Sequence, residues 1–139
     1  MTRPCSARPW TRRKSSKPAA ACSRREAWFA ESPITATLVR RAESSPARGA
    51  VLYVHGFTDY FFQTDLAHHC AARGLAFHAL DLRKCGRSLR EGQSAHYATD
   101  FTVYDTELDL AVAAIEQEHP GLGVVVAAHS TGGLITPQI

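Results

Sequence analysis

Nowhere in its 139 residues does this sequence run to 18 consecutive apolar positions, so no segment is expected to span a bilayer as a helix. The basic stretch Thr11-Arg12-Arg13-Lys14 lacks the apolar segment that an export signal needs behind it, since Ser15-Ser16-Lys17-Pro18 stands there instead. Ala20-Ala21-Cys22 lacks the same segment, which removes a lipoprotein processing site. The four cysteines, at 5, 22, 70 and 85, share no CxxC or other metal-like spacing. Free thiols and a cytoplasmic setting are therefore expected, with no metal and no cofactor. His68-His69-Cys70 has metal-binding residue types, but neighbours on a helix point about 100° apart and cannot chelate one ion together. No internal repeat is present.

Charge is present but unevenly spread. Arg3, Arg8, Arg12, Arg13, Lys14, Lys17, Arg24 and Arg25 supply half of the 16 basic residues, with only Glu26 against them in that stretch. Residues 27–139 hold eight basic and twelve acidic groups, a net of −4. A Pro, Ser and Arg composition buries too little apolar surface to offset its ordering entropy, so residues 1–26 are expected to be a disordered basic tail. The positive charge lies on that tail and not on a folded face, so nucleic acid is not an expected partner. The alternative is a non-catalytic binding module tethered by the tail, whose affinity would fall steeply with salt.

A hydrophobic content of 45% with 21% charged residues suits one soluble globular domain over 27–139 and sets aside collagen and wholesale disorder. Ile34, Ala36 and Leu38 alternate with Thr35, Thr37 and Val39, an early strand of edge type. Ala50-Val51-Leu52-Tyr53-Val54 is apolar throughout, as a strand covered on both faces is. Helical spacing of Phe62, Leu66 and Cys70 predicts a helix from Thr58 to Arg73, capped by Thr58 or Asp59 and ended by Gly74. Leu75 to Leu80 gives a second buried strand ending in Asp81, which completes a right-handed βαβ unit. Phe101, Tyr104, Leu108, Ala111, Val112 and Ile115 mark the strongest helix, capped by Thr99 or Asp100 and stopped at His119-Pro120-Gly121. Val124 to Ala128 is a third apolar strand. The pattern is an α/β fold with a mostly parallel sheet and flanking helices.

Three features carry chemistry. Ala128-His129-Ser130-Thr131-Gly132 is a close variant of the G-x-S-x-G nucleophile elbow, in which small residues let strand and helix approach around an exposed serine. His55-Gly56-Phe57-Thr58 follows the first central strand, where an oxyanion-hole loop stands in such folds. The backbone N–H groups of Phe57 and Thr131 are the expected pair of donors to a developing oxyanion. Asp81-Leu82-Arg83-Lys84-Cys85-Gly86-Arg87-Ser88 is the third.

In this order and spacing, the three features resemble the α/β-hydrolase superfamily, in particular its monoacylglycerol-lipase-like and serine-aminopeptidase-like branch, over about residues 33–135. The resemblance implies a serine hydrolase of carboxylic esters, with lipids and then amides as further substrate classes, and a small-molecule ester or lipid as its partner. Ser130 matches the nucleophile, Phe57 and Thr131 match the oxyanion-hole positions, and His55, Gly56, Asp81, Gly86 and Gly132 match motif positions that hold loops and turns. Asp81 is assigned no proton transfer.

A serine hydroxyl needs a base to take its proton, and in this superfamily the acid and the histidine follow the nucleophile in the chain. After Ser130 the sequence has no Asp, Glu or His. His129 is expected on the opposite face of its strand, and the other histidines have no route to Ser130. The family's sheet would also continue beyond the 124–128 strand, leaving it here as a bare Val-rich edge. The sequence therefore reads as the N-terminal half of such a domain, truncated after the elbow, catalytically incomplete and in need of a C-terminal half.

Overall fold

The computed structural model describes residues 10–15, 33–42 and 46–138. In chain order the strands are β1 (Trp10–Ser15), β2 (Ala36–Arg41), β3 (Gly49–Val54), β4 (Leu75–Asp81) and β5 (Val124–Ala128), and the helices are α1 (Thr64–Ala72), α2 (Asp105–Glu118) and α3 (Gly132–Ile135). One sheet runs β1-β2-β4-β3-β5. The apolar runs β3, β4 and β5 are mutually parallel, with Leu52 of β3 opposite His78 of β4 and Val126 of β5. β2 lies antiparallel on β4 and β1 antiparallel on β2.

Alternation along the parallel strands divides the core into two layers. Ala50, Leu52, Val54, Ala76 and Leu80 face α2, where Leu108, Ala111 and Ile115 meet them. Val51, Tyr53, Phe77 and Ala79 face α1 and pack with Phe61, Ala67 and Cys70. Leu52, Leu108 and Ile115 are fully buried, and each such side chain contributes about 1.5–3 kcal/mol on leaving water. On the α1 face the rings of Phe61 and Phe77 lie 5.4 Å apart and those of Tyr53 and Phe77 stack at 6.5 Å.

The helix stops follow the sequence closely. Gly74 adopts φ 71 and returns its N–H to the Ala71 carbonyl, the left-handed ending for which glycine carries no Cβ penalty. Before α2, the Asp100 carboxylate accepts the Thr102 N–H at 2.8 Å, and the first turn, Phe101–Tyr104, is 3₁₀.

Three expectations need correction. α1 starts at Thr64 and not at Thr58, and its N-cap is Gln63, without a side-chain cap bond. The reason is long-range: the Phe61 N–H is bonded to Asp81, twenty residues on, so Phe61 is buried and Phe62 is 59% exposed. β2 is not an edge strand, because β1 pairs along its outer side. Residues 10–15 of the expected basic tail are thus an edge strand, which covers backbone groups that β2 would otherwise leave unpaired. The rest of that tail, 1–9 and 16–26, lies outside the described residues. Among the described residues no helix is long and apolar enough to cross a membrane.

Candidate active site at the carboxyl ends of the strands

In a parallel sheet the carboxyl ends of the strands, where the chain turns into its helices, are the usual place for a ligand. β3 ends in His55-Gly56, β4 in Asp81 and β5 in His129-Ser130, so all three sequence motifs meet at one end of the sheet. Ser130 occupies the turn between β5 and α3 with φ 51. A non-glycine residue in this region stores about 1–3 kcal/mol of backbone strain and persists only where its surroundings hold it.

Two close approaches hold it. A Cβ on Gly132 would stand 2.6 Å from the His55 carbonyl oxygen and 2.7 Å from that of Val54. A Cβ on Gly56 would stand 3.1 Å from His129 Nδ1 and 3.2 Å from Ser130 Cβ. The β3 loop and the serine turn are therefore pressed together: a Cβ is excluded at 132, and at 56 it would require its neighbours to shift by a few tenths of an ångström. The turn is closed by Gly132 N–H donating to the His129 carbonyl and Gly133 N–H to the Ser130 carbonyl, both at 2.9 Å. Among the described residues, neither the Phe57 N–H nor the Thr131 N–H donates a hydrogen bond. Ser130 itself is exposed.

His55 is buried and fully committed. The Leu82 N–H donates to its Nε2 at 3.1 Å, so the ring proton sits on Nδ1, which donates to the Gly56 carbonyl at 2.8 Å. Both nitrogens are spent on holding the β3 and β4 loops, and burial pulls its pKa down, against the weaker upward pull of that bond and of Asp81. The neutral ring has no lone pair left for a serine proton. His129 lies beside Gly56 as Ser130 does, contrary to the opposite-face expectation, because the strand has already turned there. No hydrogen bond joins it to Ser130 among the described residues.

Asp81 is fully buried and acts as a clamp. Its Oδ1 accepts the Phe61 N–H at 2.8 Å; its Oδ2 accepts the Arg87 N–H at 3.1 Å and the Arg87 guanidinium at 2.9 Å. Every bond goes to backbone or to Arg87, which ties the loop before α1 to the loop after β4. Gly86, at φ 45, has no room for a Cβ, which would overlap Tyr60. The Ser88 hydroxyl donates to the Asp81 carbonyl at 2.7 Å. Arg83 pairs with the buried Glu107 of α2, whose pKa burial still raises despite that partner. The Cys85 thiol is buried and pushed up to about 12, mainly by desolvation and then by Glu107, so it is inert.

A small cleft beside the turn is lined by His55, Phe57, Cys85, His96, Tyr104 and Thr131. At about 20 Å³ it has room for one water and not for an acyl chain. His96 reaches it from the loop after β4 at φ 60, its ring 6.3 Å from that of Phe57. Nothing local in the sequence signals this placement, since it depends on how a long loop folds back. Among the described residues the cleft holds no cluster of three metal-donor side chains.

The chain resembles a soluble variant of monoglyceride lipase from Saccharomyces cerevisiae, seen with a substrate analog, at 25% identity and a TM-score of 0.59, over 73% of this chain and 33% of that one. It also resembles a thermostable carboxyl esterase from Bacillus coagulans, seen with glycerol, at 16% identity and a TM-score of 0.67, over 76% of this chain and 35% of that one. A thioesterase domain from the curacin biosynthetic pathway matches at 23% identity and a TM-score of 0.55, over 76% of this chain and 37% of that one. The chain spans about a third of the length of these structures. Residues 45–139 match the serine aminopeptidase S33 family. With its sheet order, its serine turn and its loops in the places described, this chain has the α/β-hydrolase fold and belongs to the serine aminopeptidase S33 family.

Proposed function

We propose that this chain is the nucleophile-bearing part of a serine hydrolase of carboxylic esters, with Ser130 as nucleophile and the N–H groups of Phe57 and Thr131 as the oxyanion hole. The observation that carries the reading is the strained Ser130 turn, held at φ 51 by the Gly56 and Gly132 contacts. In the reaction the Ser130 hydroxyl oxygen attacks the ester carbonyl, a base takes the hydroxyl proton, and the carbonyl oxygen becomes an oxyanion. The two N–H groups stabilise that charge, and losing one such donor typically costs about 3 kcal/mol of barrier. The tetrahedral species then expels the alcohol, which takes up the proton, and water later releases the acid.

The base is the component that residues 1–139 do not supply in this reading. His55 is spent on backbone groups, and the residues after Ser130 include no Asp, Glu or His. A second half of the domain would bring them, and it has a place to dock: the outer side of β5 is unpaired among the described residues, and Val125 is 64% exposed there. The free thiols Cys70 and Cys85 suit the cytoplasm as its setting.

The test is hydrolysis of p-nitrophenyl esters by residues 1–139 alone and after mixing with a polypeptide carrying the second half. The expected result is none alone and Ser130-dependent hydrolysis on mixing. Hydrolysis by the chain alone that is lost in Ser130→Ala contradicts the absence of a base.

A further inference from the structure

Three residues meet on the α2 face of the sheet, mid-strand and apart from the Ser130 turn. His78 sits in the middle of β4, opposite Leu52 of β3 and Arg40 of β2. Glu118 is the last residue of α2 and His119 is its C-cap. One donor atom from each, an imidazole nitrogen from either histidine and a carboxylate oxygen from Glu118, lie within 4.8 Å of one another. His78 Nε2 and Glu118 Oε2 are 3.4 Å apart, and the two rings meet edge to face at 5.5 Å.

Ligand atoms around tetrahedral zinc, at bond lengths of about 2.0–2.1 Å, stand roughly 3.3–3.4 Å from one another. The His78 and Glu118 pair already has that spacing, and modest side-chain rotation at the end of α2 brings in His119. His78 is 1% exposed, and its Nε2 is the nitrogen turned toward Glu118. The carboxyl end of α2 adds the favourable field of its dipole for a cation. Arg40 opposes a cation here, with its guanidinium 3.7 Å from Glu118 Oε2. Its side chain is 43% exposed and can turn into water.

We propose that His78, Glu118 and His119 form a binding site for a divalent transition-metal ion of the zinc class, with water completing its coordination and the ion clamping β4 to the end of α2. Two imidazoles and one carboxylate are a donor set suited to such an ion. The expectation of no metal site rested on local spacing, whereas His78 and Glu118 are 40 residues apart.

The test is Zn²⁺ titration of the full chain against a chromophoric chelator. It is expected to show one site, weakened at least the roughly tenfold that loss of even an outer partner of a ligand produces, in both Glu118→Gln and His119→Ala. Both changes lie at the end of α2, outside the packed core, and circular dichroism checks the fold. Arg40→Ala is expected to tighten the site. Co²⁺ in place of zinc is expected to give visible bands without intense near-ultraviolet thiolate bands. Equal affinity in the unaltered chain and both variants overturns the proposal, as does binding that disappears in the cysteine-to-alanine or the His68→Ala, His69→Ala variants.

Discussion

Gly132 lies against the carbonyl oxygen of His55 so closely that a single added methyl group would stand 2.6 Å from it. Residue 132 opens α3 and His55 directly follows β3, so this contact fixes the serine turn against the loop after β3. Gly132→Ala is expected to destabilise the fold by about 1–3 kcal/mol through overpacking against backbone that cannot rotate away. Gly133 has nothing within 4 Å of where its Cβ would stand. Gly133→Ala is therefore expected to leave stability unchanged or raise it by up to about 1 kcal/mol through helix propensity. Urea midpoints of the two variants check the contrast.

The Asp81 clamp gives the second prediction. Removing one partner of a buried ion pair costs about 3–5 kcal/mol. Arg87 is 39% exposed, so the lower end, about 3 kcal/mol, is expected for Asp81→Ala. Arg87→Ala should cost at least as much, because it leaves the fully buried Asp81 carboxylate without its counter-charge, held only by backbone N–H groups. Denaturant unfolding of both variants measures the difference.

The third prediction concerns pH. Burial lowers the His55 pKa in the folded protein below its ordinary 6.5, with Asp81 and Asp59 pulling it up and His96 pulling it down. The unfolded chain then binds the proton first as pH falls. The stability this residue provides is complete above about pH 6.5 and is lost as pH drops from there toward the folded value. Unfolding midpoints at pH 7.5 and 5.0 should differ, and His55→Gln should narrow that difference while lowering both midpoints.

Much of this architecture was legible because its signals are local. The apolar runs of β3 and β4, the glycine stop at Gly74 and the Asp100 cap each act within a few residues. The order of His55-Gly56, Asp81 to Ser88 and the Ser130 turn was readable for the same reason. What was not legible depends on distant partners. The start of α1 moved because Phe61 bonds to Asp81, and β1 was hidden in a basic segment whose pairing partner is β2. His96 reaches the cleft, and His78 meets Glu118, only through tertiary folding. The commitment of both His55 nitrogens is also tertiary, since one of its partners is Leu82 on the neighbouring strand.

The proposal that Ser130 is a nucleophile lacking only its base is tested most directly by mass spectrometry of the chain after exposure to a fluorophosphonate, with and without added imidazole as a substitute base. The account predicts no adduct without imidazole, and with it an adduct at Ser130 above that at any other serine and absent in Ser130→Ala. Ready labelling of Ser130 without imidazole, or labelling with imidazole that does not favour Ser130, would contradict it.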